Sequence, residues 1–367
     1  MIDGGRTDFA DMSSFFQKMQ SNSIHFINSI TYAPYTNAAM HAVFSGTYGN
    51  RTNTNSYWST YSFNKEKFKT LTEYLSDNGF YTCADIVSEL IIPRQGFNEY
   101  LIHDEENDDL ISKHSTLLDL MKDKNEQGTN FFLYLHYSKI HVGIKNEVLQ
   151  VYNNFSKEYF NNIEQNKNRY KKLFDNTEIY LEKIFQKLEV NNLFKNSIIL
   201  LMSDHGISIG EKFGERAYGA FCYDYTLRTL CYFFIPGIES KKIDAQIRSI
   251  DYLPTILDLL DIHPDSNFEK IDGASLLPLI NDQNPINRLA FSETGNPGME
   301  KNPPREPNVK SIRNSSWKFI LNEFDGTEEL YNLKDDPEEK QNLISKNLSI
   351  YTELKNELDL IQQSKKN

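Results

Sequence analysis

The chain has 367 residues, 39% of them hydrophobic and 13% aromatic, ample apolar material for a large domain with a smaller appendage. Its 39 basic residues face 51 acidic ones, a net charge of −12, which excludes a general nucleic-acid binder because no basic excess exists to neutralise phosphates. Cys83, Cys222 and Cys231 are too few and too scattered for a disulfide framework or a zinc cluster, and no stretch approaches the ~18 consecutive apolar residues of a membrane span.

In chain order, MIDGG is an apolar start that ends in Asp3. SITYAPYTNAAMHAVFSG (29–46) reads as an extended run followed by a helix over 37–45, with Thr36 as its N-cap and Gly46 as its stop. HDEENDD (103–109) reads as a solvated acidic loop. FFLYLHY (131–137), SIILLMS (197–203) and TLCYFFIPG (229–237) are dense enough in apolar residues to be strands buried on both faces. Between them, 168–190 places Tyr170, Leu173, Ile179, Leu181, Ile184, Phe185 and Leu188 at helical spacings. DYLPTILDLLDI (251–262) is a further helix, with Pro254 tolerated in its first turn. Strands alternating with helices predict a parallel α/β sheet with helices on both faces. From about residue 286 the texture changes. NPGMEKNPPREPN (296–308) is loop-like, SIRNSSWKFILN and ELYNL are short strand candidates, and an amphipathic helix is predicted over 345–363. The expected domains are therefore 1–285 and a smaller C-terminal subdomain, 286–367.

Open α/β sheets bind ligands beyond the carboxyl ends of their strands. Asp204 and His205 directly follow SIILLMS, and Asp3 follows the apolar start. A divalent metal held by Asp3, Asp204 and His205 would lower the pKa of a hydroxyl at a helix N-terminus and make Thr36 a nucleophile. Two hard oxygens with one imidazole suit Zn²⁺ or Mn²⁺ better than Ca²⁺, which remains allowed.

With these residues in view, the chain resembles the sulfatase family of the alkaline phosphatase superfamily. APYTNAAMHAVFSGTYGNR is similar to that family's nucleophile segment, with Thr36 at the nucleophile position. TLTEYLSDNGFYT, QGFNEY, SDHGISIGE, YDYTLR, IDYLPTILDLL, DGASLLPLI and WKFILNEFDGTEELYNLKDDPEEKQNL resemble later signatures in the same order. The resemblance implies a doubly wound, mostly parallel sheet between helices with a small C-terminal α+β subdomain, and places most of the first strand upstream of Met1. It also implies that Asp3, Thr36, Asp204 and His205 hold one metal ion, and that His141 contacts the anionic group of the substrate. A second metal is not expected, because the residue four before His141 is Tyr137 and not aspartate.

The chain also departs from the family. Thr36-Asn37-Ala38-Ala39-Met40 stands where formylglycine sulfatases carry C/S-x-P-S-R, so that aldehyde cannot form here. Threonine is what the resemblance associates with phosphodiesterases and with phosphoethanolamine or phosphoglycerol transferases. The family's Lys or His before the YDYTLR element is missing, its place taken by Tyr218 and Gly219. His136, Lys212 and Arg216 are the candidates for contacting substrate or leaving group. The expected function is metal-dependent hydrolysis of a phospho- or sulfo-ester through Thr36. The alternatives are phospho-alcohol transfer to a surface glycan, or a non-catalytic relative. The expected partner is an anionic ester, glycan-linked in the transfer reading. As the chain stands the expected location is cytoplasmic, or periplasmic or extracellular if an N-terminal segment precedes it.

Overall fold

The computed structural model describes residues 1–283, 288–300 and 302–363. Its centre is a mixed sheet built from two groups of strands. Glu99–Ile102, Tyr81–Ile86 and Phe131–Leu135 lie side by side, and Ile199–Met202, Cys231–Phe234, Ile24–Phe26 and Lys241–Ile243 form the second group. Ile2 joins them, bridging Tyr137 on one side and Ser203 on the other, both in parallel. Along the apolar flanks behind Ile2, the strands Phe131–Leu135 and Ile199–Met202 border a cavity of about 450 Å³.

Only Cys231–Phe234 among these strands runs against its neighbours. The apolar density of TLCYFFIPG correctly reports burial of all four residues of that strand, but not its direction. An interior antiparallel strand needs the same apolar side chains on both faces as a parallel one.

Helices cover both faces of the sheet. Phe9, Phe16, Leu118, Tyr170, Phe174 and Ile184 fill one side. Met40, Phe44, Leu75, Leu253 and Leu257 fill the other. Local signals fix several helix starts. Thr70 and Glu73 form a capping box before Leu71–Asp77, and Asp109 accepts a hydrogen bond from the Ile111 N–H to start Leu110–Glu126. Such caps each contribute about 1 kcal/mol. The long helix Ile163–Val190 buries Tyr170, Leu181, Ile184, Phe185 and Leu188. Ile179 falls on its outer side and is 54% exposed, contrary to the helical-face expectation.

Thr36 needs a small correction. The helix is Thr36–Ser45, with Tyr35 at the N-cap, so Thr36 is the first helical residue and not the cap. Its hydroxyl is thereby free of the capping bond and available to the site. Gly46 ends the helix at φ 62°, a conformation that costs glycine nothing.

The C-terminal part is a four-stranded antiparallel sheet, Ala290–Thr294, Val309–Arg313, Trp317–Asn322 and Thr327–Asn332. The helix Leu348–Gln363 packs on it through Leu354 and Leu358 against Ile312 and Phe319. The expected boundary at 285/286 lies outside the described residues. A buried ion cluster fastens this sheet to the larger part. Lys318 Nζ lies 2.9 Å from Asp224 Oδ1 and 2.8 Å from Glu339 Oε1. No helix among the described residues is long and apolar enough to cross a membrane.

Candidate active site

The parallel strands deliver their polar ends to one place. Asp3 follows Ile2, and Asp204 and His205 follow Ile199–Met202. Gly4 turns the chain at φ 76°, which lets its N–H donate to Asp204 Oδ1 at 3.0 Å. A Cβ at that position would meet the Ile207 side chain at 2.9 Å, so glycine is required twice over. The helix Thr36–Ser45 then points its N-terminus at the same spot. Thr36 Oγ1 lies 3.4 Å from Asp3 Oδ2 and 3.3 Å from His205 Nε2.

The donor set fits one divalent cation. His205 Nδ1 lies 2.8 Å from the Gly206 carbonyl, the bond of an N–H donor, which leaves the Nε2 lone pair facing the cluster. That nitrogen is 3.7 Å from Asp3 Oδ1 and 3.4 Å from Asp204 Oδ2. Four ligands about 2.1 Å from a common ion lie about 3.4 Å apart, which is this spacing. Asp3 Oδ1 and Asp204 Oδ2 are buried without a hydrogen-bond partner. Two buried, unpartnered carboxylate oxygens are costly unless a cation joins them.

The titration of the pair says the same. Burial opposes ionisation of Asp3, but His141, then His136 and His205, outweigh it and hold its carboxyl below the usual range. Burial raises Asp204, and the adjacent Asp3 charge adds to the rise despite the attraction of His205. Without a cation, the second of these two carboxylates resists ionisation.

A family model described as Sulfatase matches residues 9–262, more than half of the chain. The chain belongs to the sulfatase family. A second model, N-sulphoglucosamine sulphohydrolase, C-terminal, matches residues 218–365. Among curated relatives, the uncharacterized sulfatase YdeN of Escherichia coli is 28% identical over 158 residues, 42% of this chain and 27% of that protein. A sulfatase of Formosa agariphila is 29% identical over 163 residues, 43% of this chain and 28% of its own length. The matches thus span little more than a quarter of these two relatives. Solved structures share the fold across nearly the whole chain. BT4656, solved with its substrate D-glucosamine-2-N,6-O-disulfate, is 16% identical at a TM-score of 0.75, covering 100% of this chain and 97% of that one. The phosphonate monoester hydrolase of Agrobacterium radiobacter is 13% identical at a TM-score of 0.74, covering 99% and 95%.

Around the cluster, this sulfatase-family protein sorts the other candidate residues. His141, on the helix Lys139–Ile144, is partly exposed and sets Nδ1 3.2 Å from Glu105 Oε2. Burial opposes its charge, but Asp3 and Glu105 raise its pKa to about 9, so it is a cation at neutral pH. His136 does not reach the opening. It is fully buried behind Asp3, with Nε2 3.2 Å from Asp3 Oδ2, and so orients that carboxylate. Lys212 and Arg216 are also turned elsewhere. The Lys212 ammonium donates to the Glu339 carbonyl and sits 4.4 Å from the centre of the Tyr223 ring, while Arg216 donates to Asn154 at 2.7 Å. Both long side chains are already engaged by neighbours outside the cluster.

The acidic loop was only partly legible. Glu105 pairs with His141 and Lys145, and His103 is not solvated but 2% exposed. His103 joins a second buried group with Asp85 and His114. Asp85 Oδ2 lies 2.9 Å from His103 Nδ1 and 2.8 Å from His114 Nε2. The opposite ring nitrogens meet Ser138 Oγ at 2.9 Å and Tyr180 OH at 2.6 Å. Those are hydrogen-bond lengths around a single oxygen, tighter than the spacing of the first cluster, so this group is a bonded network under the site. No local pattern announces it, since its members come from a strand, a loop and a helix.

The loop that follows the second strand end carries Tyr218 over His205, with ring centres 4.9 Å apart. Glu215, 1% exposed, pins this loop by accepting from the Ala220 and Phe221 N–H groups at 2.8 and 3.0 Å and from Tyr225 OH at 2.7 Å. Burial raises its carboxyl from 4.5 to about 7, against the lowering effect of those bonds. The folded state therefore holds this proton more tightly than the unfolded chain. The resulting stability is fully present below pH 4.5 and is lost as pH rises through about 7, about 3 kcal/mol in all. Glu215→Gln is expected to flatten that part of the profile, which denaturant unfolding of both proteins from pH 4.5 to 8 would show. Parallel profiles would contradict it.

Proposed function

We propose that this chain cleaves a monoanionic ester, a phosphodiester or phosphonate monoester before a sulfate ester, with Thr36 as the nucleophile. The convergence of Thr36, Asp3, Asp204 and His205 on one spot carries the reading. Asp3, Asp204, His205 and the Thr36 oxygen would hold one divalent ion, Zn²⁺ or Mn²⁺ by donor type. When bound, such an ion neutralises the two carboxylates and polarises oxygens beside it. The Thr36 hydroxyl loses its proton to water and its oxygen attacks phosphorus or sulfur, while the ester's alkoxide departs and takes up a proton. Water then releases the group from Thr36 and restores the hydroxyl. The N-terminal N–H groups of the helix Thr36–Ser45 favour the negative charge that gathers there. Protonated His141 supplies a positive partner for the anionic oxygens, and Glu105 keeps it protonated and oriented.

Charge supports the monoanionic preference. With a divalent ion bound, the charges of Asp3 and Asp204 are neutralised and Glu105 balances His141, so the site carries no net positive charge to match a dianion and suits a monoanion better. Threonine supports the phospho-ester, because it cannot form the aldehyde hydrate through which formylglycine enzymes release sulfate. The sulfatase and phosphonate-hydrolase names of the relatives support hydrolysis over transfer to a glycan alcohol. The test is turnover of aryl phosphodiester, phosphonate monoester, phosphate monoester and sulfate ester by protein loaded with Zn²⁺, Mn²⁺ or Ca²⁺. Diester and phosphonate are expected to lead the phosphate monoester by about 10-fold or more, a difference of about 1.4 kcal/mol. Preference for the dianion would overturn the charge argument, and no turnover of any ester would overturn catalysis.

A further inference from the structure

We propose that Tyr218 completes the anion-binding face of this site, donating a hydrogen bond from its hydroxyl to an oxygen of the transferring group. This rests on the ester-cleaving reading above and assigns a role at the position where the family resemblance expects lysine or histidine.

Three observations carry it. The Tyr218 ring packs near both histidines that bound the site, with its centre 4.9 Å from that of His205 and 6.2 Å from that of His141. Its oxygen is close enough to interact electrostatically with Asp3 and Asp204, and then with Tyr57 and Glu105. The ring therefore borders the space beside Thr36, His205 and His141 where an anion would bind. Second, the loop is built to hold it still. Glu215 accepts from two N–H groups just beyond Tyr218, Thr294 Oγ1 donates to the Gly219 carbonyl at 2.5 Å, and the Ser208 N–H bonds the Ala217 carbonyl. A donor fixed before substrate arrives pays no reorganisation in the transition state. Third, the side chain is only partly buried, and its hydroxyl has no hydrogen-bond partner among the described residues. The unpartnered oxygens beside it, on Asp3 and Asp204, are acceptors suited to a cation, whereas this hydroxyl is a donor suited to an anion.

The choice of tyrosine has a chemical consequence. A phenol gives the anion a bond without adding a positive charge, as lysine would. The site then holds fewer charges to match, in keeping with a monoanionic ester.

Tyr218→Phe separates this role from packing, because the ring stays over His205 and only the oxygen is lost. Two measurements are made on the metal-loaded protein: calorimetric binding of inorganic phosphate, and kcat and KM on an aryl phosphodiester. The phenylalanine variant should keep its metal content and melting temperature. Its phosphate Kd should rise about 5- to 20-fold and its kcat should fall about 10²-fold, the scale of losing one preorganised donor. Tyr218→His, which restores a donor, should recover part of both. If wild type binds phosphate and Tyr218→Phe binds it equally and turns over within about 2-fold, the assignment is overturned alone. If wild type neither binds phosphate nor turns over the diester, the anion-site reading falls and takes this inference with it.

Discussion

Thr36→Ala is expected to lose turnover by about 10³-fold or more while, in the metal-free protein, unfolding at the same temperature as wild type. The attacking oxygen disappears, but Asp3, Asp204 and His205 remain in place. Stability should hold because Thr36 is the first helical residue and not the cap, and makes no capping bond. Alanine is also the better helix former at that point. Thr36→Ser keeps the oxygen and removes a methyl, so its turnover should stay within about 10-fold of wild type. A purely structural threonine predicts the reverse, a loss of about 1 kcal/mol in stability with catalysis intact. Melting temperatures and single-turnover rates of the two variants decide between these outcomes. An active Thr36→Ala protein would end the nucleophile assignment.

Stripping divalent ions with a chelator should lower the melting temperature and stop turnover, and elemental analysis of dialysed protein should find one ion per chain. At a free ion concentration of about 1,000 times Kd, binding stabilises by about 4 kcal/mol. Asp204→Asn gives the sharper test, because its sign depends on the ion. In the metal-free protein, Asp3 and Asp204 crowd two carboxylates into a buried space, so removing one charge should leave stability equal or higher. In the presence of the ion the same change removes a ligand and should lower the melting temperature below that of wild type. A variant that is destabilised equally with and without divalent ion would show that these residues do not share a metal. Two ions per chain would instead point to the Asp85, His103 and His114 group, whose 2.8 and 2.9 Å contacts are read here as hydrogen bonds.

Much of this arrangement could be read from the chain alone, and the reasons are specific. FFLYLHY and SIILLMS are apolar runs that end abruptly in polar residues, so both the strands and the position of Asp204 and His205 at a strand end were legible. The helix beside Thr36 was legible because a helical pattern ends at Gly46, although Thr36 is its first residue and not the expected cap. Roles that depend on distant partners were not. His136 sits on the same apolar run, but whether it faces substrate or Asp3 depends on a bond to a residue 133 positions away. Lys212 and Arg216 have long, flexible side chains that could reach many neighbours, and the fold offered them a carbonyl and an asparagine outside the cluster. Asp85, His103 and His114 carry no spacing signal, because strand pairing and helix packing bring them together rather than any local repeat.

The ion cluster of Lys318, Asp224 and Glu339 means that the large part of this protein is not a detachable module. Asp224 begins the short helix Asp224–Leu227, just after the loop that carries Tyr218, and its cations come from beyond residue 300: Lys318 and also Arg313. A chain stopped near residue 285 would strand a buried carboxylate, a loss of about 3–5 kcal/mol, right beside one wall of the site. Grafting a different C-terminal piece onto this scaffold would meet the same demand, because the incoming sheet must bring a buried cation to the same spot. Exchange of such pieces between relatives is therefore constrained by this internal charge as well as by packing on both faces of the C-terminal sheet.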